Sequence, residues 1–313
     1  MNETLNKKNK TKLNWWGYLF IAPAMFFFLM YILYPIIFVF SHSLFSWSTI
    51  ANMKWAGIEN YIKLFHDSIF WVTIKNSFKW ILVTVPIQAV LGFIFAYIIE
   101  ERLGRKKREG KTISKTVFRT ILFIPVVTSV TVVAIIWSKI FQPYEGILGH
   151  YLSLWFGMSS TINVLGNANL SLVGCMIANI WEWTGWSMIM YVGGISQISD
   201  DLKEAARIDG ASVWQELRYV YIPLLSSVHK SLLMLGVIGS LQTYALVSVM
   251  TNGGPNHASE IPGTYIFLTG FTHSQMGYAC TIAVAVLLLA LILTFIQVRF
   301  LGSGDFAKKG DGR

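Results

Sequence analysis

Long apolar stretches alternate with short polar ones along most of the chain. Uncharged or nearly uncharged stretches occur at six places, near 17–40, 77–99, 118–139, 171–193, 227–250 and 279–301. At a rise of about 1.5 Å per residue, each is long enough to cross roughly 30 Å of hydrocarbon as an α-helix. The pattern therefore predicts an all-α polytopic membrane protein with six transmembrane helices.

The predicted transmembrane domain occupies residues 17–301. Residues 1–16 before it carry four lysines, and residues 302–313 form a short polar tail. The uncharged run after the lysines extends to Met53, which is too long for the apolar core of a signal peptide. We therefore expect an uncleaved first span.

One polar segment, residues 199–225, separates the fourth and fifth predicted spans. It contains two capping-box patterns, each of which predicts the start of a short helix: Asp201 with Glu204, and Ser212 with Gln215. Gly210 stands where the first helix must end, because glycine enters the left-handed conformation without steric cost. Pro223 suits the first turn of the following helix, where a missing N–H costs nothing. The 199–225 segment is predicted to fold as helix, tight turn and helix.

Composition excludes a soluble domain. The 313 residues are 54% hydrophobic and 13% charged, with a mean hydropathy of +0.53, more apolar surface than a soluble fold can bury. Cys175 and Cys280 both fall in or at predicted spans, so we expect no disulfide framework. The six histidines have no metal-ligand partner at helical spacing, and we expect neither a metal nor a cofactor.

The net charge of +9 is explained by topology. If the N-terminus is cytoplasmic, 20 of the 25 Lys and Arg residues lie on the cytoplasmic side, in the segments 1–16, 100–119, 195–230 and 299–313. This asymmetry follows the positive-inside rule and predicts that both termini are cytoplasmic. The basic charge therefore indicates membrane lipid as the environment and gives no reason to expect a nucleic-acid partner.

A basic, glycine-containing stretch at 104–112 is not a phosphate-binding loop. Such a loop has four residues between its glycines and follows a strand. Five residues separate Gly104 from Gly110, and a membrane helix precedes them. We expect the chain to be a transport subunit and not an enzyme, with any ATP hydrolysed by a separate protein.

The 199–225 segment resembles the EAA loop of ABC importer permeases, E-A-A-x-x-x-G followed by an apolar-x-apolar-P pattern. The matching positions here are Glu204, Ala205, Ala206, Gly210, Val220, Ile222 and Pro223. Val220 and Ile222 replace the more usual Ile and Leu. Other stretches are similar to carbohydrate-type permeases: YLFIAPA at 18–24, TNGGP at 251–255, and a region carrying Gly57, Asn60, Tyr61, Phe65, Phe70 and Asn76.

Together these features resemble the first of the two permeases in maltose-type importers, without the large extracytoplasmic insertion that some of them have. The resemblance implies a type I (MetI-like) architecture in the bacterial inner membrane. It also implies a second homologous permease, two ATPase subunits and an extracytoplasmic sugar-binding protein as partners. Residues expected to couple to the ATPase are Glu204, Ala205, Ala206, Asp209 and Gly210.

Glu182 makes the fourth predicted span unusual. A charged residue at the bilayer centre costs about 2.5–3.5 kcal/mol on insertion scales. The six Leu, Ile and Val residues of this span return only about 2–4 kcal/mol. We therefore expect this span to face protein or a water-filled cavity that Glu182 lines.

Aromatic rings beside polar groups are what a sugar site requires. The ring face covers the apolar C–H face of a pyranose, while amides and carboxylates bind its hydroxyls. The candidate substrate-binding residues are Asn179, Glu182, Trp183, Trp186, Gln242 and Tyr244. Alternatively, the tryptophans form an interfacial belt or pack against neighbouring helices, and Glu182 pairs with a cation on a partner permease.

Two other function classes remain open on the sequence alone. A gradient-driven secondary transporter or channel would use Glu182 as a proton or cation relay, but it leaves the 199–225 pattern unexplained. A membrane-embedded enzyme would need a second titratable group at membrane depth. The sequence does not specify which sugar is carried, and a polyol or glycerol phosphate is an alternative; a phosphate would need a cation in the cavity, for which no clear intramembrane Arg or Lys is available.

Overall fold

The computed structural model describes residues 15–103, 115–144, 146–156 and 163–301, and helices form most of this part of the chain. The lysines before residue 15, the stretch 104–112 and the tail 302–313 lie outside the described residues. The elements of the first half are α1 (Trp15–Phe28), α2 (Tyr34–His42), β1 (Phe45–Ser46), β2 (Lys54–Trp55), α3 (Glu59–His66), α4 (Ser68–Tyr97), α5 (Lys115–Val127), α6 (Val130–Ile140) and α7 (Ile147–Phe156).

The second half is also helical. Its elements are α8 (Ser171–Ile195), α9 (Asp200–Ile208), α10 (Val213–Glu216), α11 (Ile222–Leu224), α12 (Ser226–Leu241), α13 (Ala245–Met250), α14 (Pro262–Phe267) and α15 (Met276–Leu301). Short π-helical turns continue α1 into α2 through Leu29–Leu33 and extend α4 through Ile98–Leu103. The strands β1 and β2 pair antiparallel as a two-stranded hairpin, with Phe45 opposite Trp55.

Three helical stretches of the described residues have the length and apolar composition of membrane spans. They are Tyr18–His42, Ser68–Glu101 and Met276–Phe300, and they correspond to the first, second and sixth predicted spans. At 25 residues α8 is also long enough for a span, but it does not reach the apolarity of those three. This result agrees with the small net insertion energy expected for the stretch around Glu182.

The third and fifth predicted spans are not continuous helices. α5 and α6 meet at an angle of 95°, with Ser129 in a non-helical conformation between them. The predicted fifth span divides into α12 and α13, separated by residues 242–244, and a 67° bend lies before α12. Each break is no more than three residues long, so hydropathy detected the membrane-embedded stretch but not the change in chain direction.

The helices α4 and α8 form the centre of the bundle, and α5 and α12 also pack against α8. Gly92 of α4 allows close contact, because a Cβ atom there would lie 2.5 Å from the Ser187 Cβ atom and 2.8 Å from the Met188 nitrogen. Large side chains fill the space on both sides of this contact, among them Trp80, Met188 and Tyr191. The central prediction for the fourth span holds, since most of α8 faces protein.

Several residues of the family-like motifs have structural roles at the end of the bundle where α4 begins. The Asn60 amide donates to the backbone oxygens of Ser43 (2.9 Å) and Phe45 (3.1 Å), and the Tyr61 hydroxyl lies 2.7 Å from Ser43 Oγ. Asn76 is buried and donates to the backbone oxygens of Ala258 (3.1 Å) and Glu260 (2.9 Å). These contacts fasten the α2–α3 connection and the loop after α13 to the bundle.

Candidate functional sites

A cavity of about 330 Å³ opens among α4, α8, α12 and the break between α12 and α13. Its lining contains every side chain that the sequence analysis selected for substrate contact: Asn179, Glu182, Trp183, Trp186, Gln242 and Tyr244. Residues that are more than fifty positions apart in the chain therefore meet at one place. The cavity has the mixture of aromatic rings and hydrogen-bonding groups that a polar organic solute requires.

Helical periodicity explains the contribution of α8. Residues 179, 182, 183 and 186 follow the spacing i, i+3, i+4 and i+7, which places them on one face of the helix. The Trp183 and Trp186 side chains are 43% and 39% exposed and line the cavity. Trp181 is equally exposed, at 44%, but it is not part of the lining and contacts Trp137 edge to face.

The break in the fifth predicted span contributes the other polar groups. Because the α-helix stops at Leu241 and resumes at Ala245, Gln242, Thr243 and Tyr244 reach the cavity from irregular backbone. Non-helical backbone at membrane depth is tolerated where it is buried in protein or lines a water-filled space. The interruption of the fifth predicted span therefore coincides with the candidate site.

The sequence analysis missed the three lining residues on α4, which are Trp80, Val85 and Gln88. The Gln88 amide donates to both the backbone oxygen (3.1 Å) and the side-chain oxygen (3.0 Å) of Asn179. These two bonds hold the Asn179 amide in one orientation at the cavity wall. The signal was available, because Gln88 is the kind of lone amide within an apolar span that marks a functional interior.

Glu182 lies deep in the lining. Its side chain is only 3% exposed, and its Oε2 atom has no hydrogen-bond partner among the described residues. An unpartnered buried carboxylate oxygen costs free energy that a bound ligand or water can return. The prediction that Glu182 lines an internal cavity agrees with this position.

The 199–225 segment forms the predicted helix, turn and helix. α9 ends at Ile208, and Gly210 follows with φ +79°. Its N–H donates to Arg207 O and the Ala211 N–H to Ala206 O, the bond pattern of a Schellman motif. A Cβ atom at Gly210 would meet nothing within 4 Å, so the positive φ alone requires glycine there.

One of the two predicted capping boxes is present and the other is wrong. The Ser212 N–H donates to Gln215 Oε1 (2.7 Å), and the Gln215 N–H donates to Ser212 Oγ (3.4 Å). α9, however, begins at Asp200 with Ser199 at the N-cap position, and no side chain caps it. Asp201 therefore lies within the first turn, where its charge favours the helix dipole without capping.

α9 has one face toward the protein and one toward solvent. Glu204, Ala205, Asp209 and Gly210 of the predicted coupling set are exposed, and Ala206 is half-buried. The apolar side chain of Ile208 is 86% exposed, an unusual position for isoleucine in a soluble surface. The opposite face carries Lys203, which is buried, and Arg207, which is half-buried.

These two cations connect α9 to the far end of α4. Lys203 lies 3.3 Å from Glu101 Oε1, and Arg207 donates to Glu101 Oε2 at 2.8 Å. Arg207 also donates to Glu216 Oε1 of α10 at 2.9 Å. Glu101 and Glu216 are buried, so α9, α10 and the end of α4 are joined by a compact ion-pair network.

Apolar helices around a polar, aromatic cavity are the architecture expected of a membrane permease. A family model described as "Binding-protein-dependent transport system inner membrane component" matches residues 8–301. The chain belongs to this family, and it is a permease subunit of an ABC importer.

Relatives cover nearly the whole chain. A probable ABC transporter permease protein, YurN of Bacillus subtilis, is 32% identical over 92% of this chain and 96% of the relative. The trehalose/maltose transport system permease protein MalF of Thermococcus litoralis is 30% identical over 98% of this chain and its whole length (100%). A crystal structure of a bacterial ABC transporter involved in import of the acidic polysaccharide alginate shares the fold, with a TM-score of 0.79 over 92% of this chain and 96% of that chain at 20% identity. The expected MetI-like architecture is confirmed.

Proposed function

We propose that this chain forms one half of the translocation path of an ATP-driven importer for a sugar, most simply an oligosaccharide. A second homologous permease would form the other half, two ATPase subunits would dock beneath them, and an extracytoplasmic binding protein would deliver the sugar. The name of one relative, a trehalose/maltose transport system permease protein, supports this class of substrate. Family membership favours ATP-driven import over a gradient-driven transporter.

The observation that carries the proposal is the cavity. Two partly exposed tryptophan side chains line the cavity beside three amide side chains and a carboxylate. Sugar rings have apolar C–H faces and hydroxyl edges, and this lining offers both kinds of contact. The amide pair Gln88 and Asn179 is already oriented, so less conformational entropy is lost when a hydroxyl binds.

The proposed orientation places both termini and the 199–225 segment in the cytoplasm. The distribution of Lys and Arg along the chain supports it through the positive-inside rule. In this orientation the loop after α13 and the α2–α3 connection lie outside, toward the binding protein. The exposed face of α9, with Ala205, Ile208 and Asp209, would enter a cleft of the ATPase.

Coupling would run through α4. The helix is fastened to the outer loop by Asn76, to α8 in the cavity by Gln88, and to α9 by Glu101. When ATP binding closes the ATPase dimer, movement of α9 would draw Glu101 with it and shift the cavity wall on α4. This transmission is a rigid-body alternation of the kind described for transporters.

ATP-dependent uptake by reconstituted proteoliposomes tests the proposal. The complex, purified through a tag on this chain, is supplied with its binding protein and labelled malto-, arabino- and galacto-oligosaccharides. We expect at least one of these oligosaccharides to accumulate in the vesicles. The accumulation should require ATP on the side of the membrane where the ATPase is bound. Uptake that follows an imposed proton or sodium gradient without ATP would contradict the proposal.

A further inference from the structure

Acidic and basic side chains are not balanced in the cavity lining. Of its nineteen described lining residues, Glu182 is the one carboxylic acid, and no Lys, Arg or His is among them. The remaining lining consists of apolar groups, amides, hydroxyls and aromatic rings. A solute in this cavity would therefore meet one carboxylate and no compensating cation from the described part of this chain.

We propose that Glu182 acts as an anion-excluding filter, which makes the path selective for sugars without acidic groups and against uronates and sugar phosphates. The proposal rests on the proposed function in so far as the solute is a sugar. It assigns to Glu182 a role in choosing the substrate class, beyond contact with a hydroxyl.

Coulomb repulsion is the first physical reason. Two like charges at contact distance repel each other, and the repulsion is several times stronger near a protein interior than in water. Glu182 is almost fully buried, so bulk water screens its carboxylate poorly. An acidic sugar would also lose part of its own hydration on entry, and none of the described lining residues is an Arg that could replace it.

The aromatic lining acts in the same direction. The face of an indole ring carries the negative part of its quadrupole, so Trp183 and Trp186 attract cations and C–H groups and disfavour anions. The amide pair Gln88 and Asn179 adds no net charge.

A cysteine reporter tests the filter without any sugar. Gly239 lines the cavity, and a Cβ atom there would meet nothing within 4 Å, so Gly239→Cys should be accommodated. Cys175 and Cys280 are replaced by Ala to remove background thiols. The full complex in nanodiscs is then treated with two thiol reagents of similar size, the anionic sulfonatoethyl and the cationic trimethylammonioethyl methanethiosulfonate.

We expect the cationic reagent to react faster than the anionic one, relative to a free thiol, by on the order of fivefold. Glu182→Gln should reduce this preference to near unity, and Glu182→Asp, which keeps the charge, should retain it. Gly193→Cys provides a matched reporter, since it lies on α8, has open space around its Cβ position and is not part of the cavity lining. The ratio of cationic to anionic reagent rates at Gly193→Cys should not change when Glu182→Gln is introduced.

An unchanged preference at Gly239→Cys after Glu182→Gln would overturn the filter, provided the variant elutes as the same complex. Glu182→Lys is a further test, because it should invert the preference so that the anionic reagent reacts faster than the cationic one. If Gly239→Cys does not assemble, Thr243→Cys reports from the same lining. Failure of sugar uptake with a clear charge preference would count against the proposed cargo and leave the filter standing, so the two failures are distinguishable.

Discussion

Two buried carboxylates beside α4 have opposite surroundings. Glu101, just beyond the α9 end of α4, is buried between Lys203 and Arg207, which compensate its charge. Glu182 of the neighbouring α8, beside the middle of α4, is just as buried, but no cation is among the described residues that line the cavity. Paired charges specify a fixed geometry, which suits a mechanical joint, whereas an uncompensated charge suits a site that selects what enters.

Loss of the paired carboxylate should have the largest effect. Glu101→Gln leaves Lys203 and Arg207 without their shared partner, and breaking a buried ion pair costs about 3–5 kcal/mol. We expect sugar uptake to fall at least tenfold while the ATPase still hydrolyses ATP, measured on the same proteoliposomes.

Glu100→Gln is the matched control, because Glu100 pairs with the more exposed Lys115 and Arg119, and its loss should cost less. A Glu101→Arg, Arg207→Glu exchange should recover part of the uptake. Normal uptake by Glu101→Gln would show that the ion-pair network does not transmit the movement of α9 to α4.

The turn after α9 should be nearly as sensitive. Gly210→Val forces a β-branched residue into φ +79°, which costs on the order of 1–3 kcal/mol and distorts the exposed surface. We expect co-purification of the ATPase to be lost. Gly210→Asn should keep it, because Asn tolerates this conformation and the position has open space. If both variants lost the ATPase equally, glycine would be required at this position for a reason other than its positive φ.

The cavity tryptophans should have an intermediate effect. Trp186→Ala or Trp183→Ala removes a ring face, and we expect the transport KM for sugar to rise about tenfold, which corresponds to about 1.4 kcal/mol. Trp181→Ala is the matched control on the same helix, with the same exposure but no place in the lining. A similar rise for Trp181→Ala would indicate a packing effect and not sugar contact.

We expect the smallest effect at a third carboxylate, Asp67, which is the N-cap residue of α4. Its hydrogen bonds come from uncharged donors. Burial acts to raise its pKa, but hydrogen bonds from the Tyr265 and Tyr278 hydroxyls (2.5 Å each) and two backbone amides lower the pKa below its ordinary value. Its contribution to stability is therefore present above roughly pH 4 and lost as the pH falls through the lowered pKa. Asp67→Asn should melt below the unchanged protein at neutral pH, and the difference should close toward pH 3. A difference independent of pH would contradict this account.

The predictable part of this molecule was its periodic part. Spacing on α8 brought Asn179, Glu182, Trp183 and Trp186 to one face, and the glycine at 210 fixed the end of α9. The N-cap of α9 was misplaced because Ser199, Asp200 and Asp201 are all good capping residues in succession, and local chemistry does not choose among them. Contacts such as Glu101 with Arg207 span 106 positions, and no periodicity encodes which of several surface charges meet in the fold.

The most direct test of the central claim is purification of the tagged chain from its native membranes in mild detergent, with its companions identified by mass spectrometry. The account predicts a second permease of the same family in equal amount, and an ATPase in twice that amount. A folded chain that purifies alone or only with copies of itself would contradict the account.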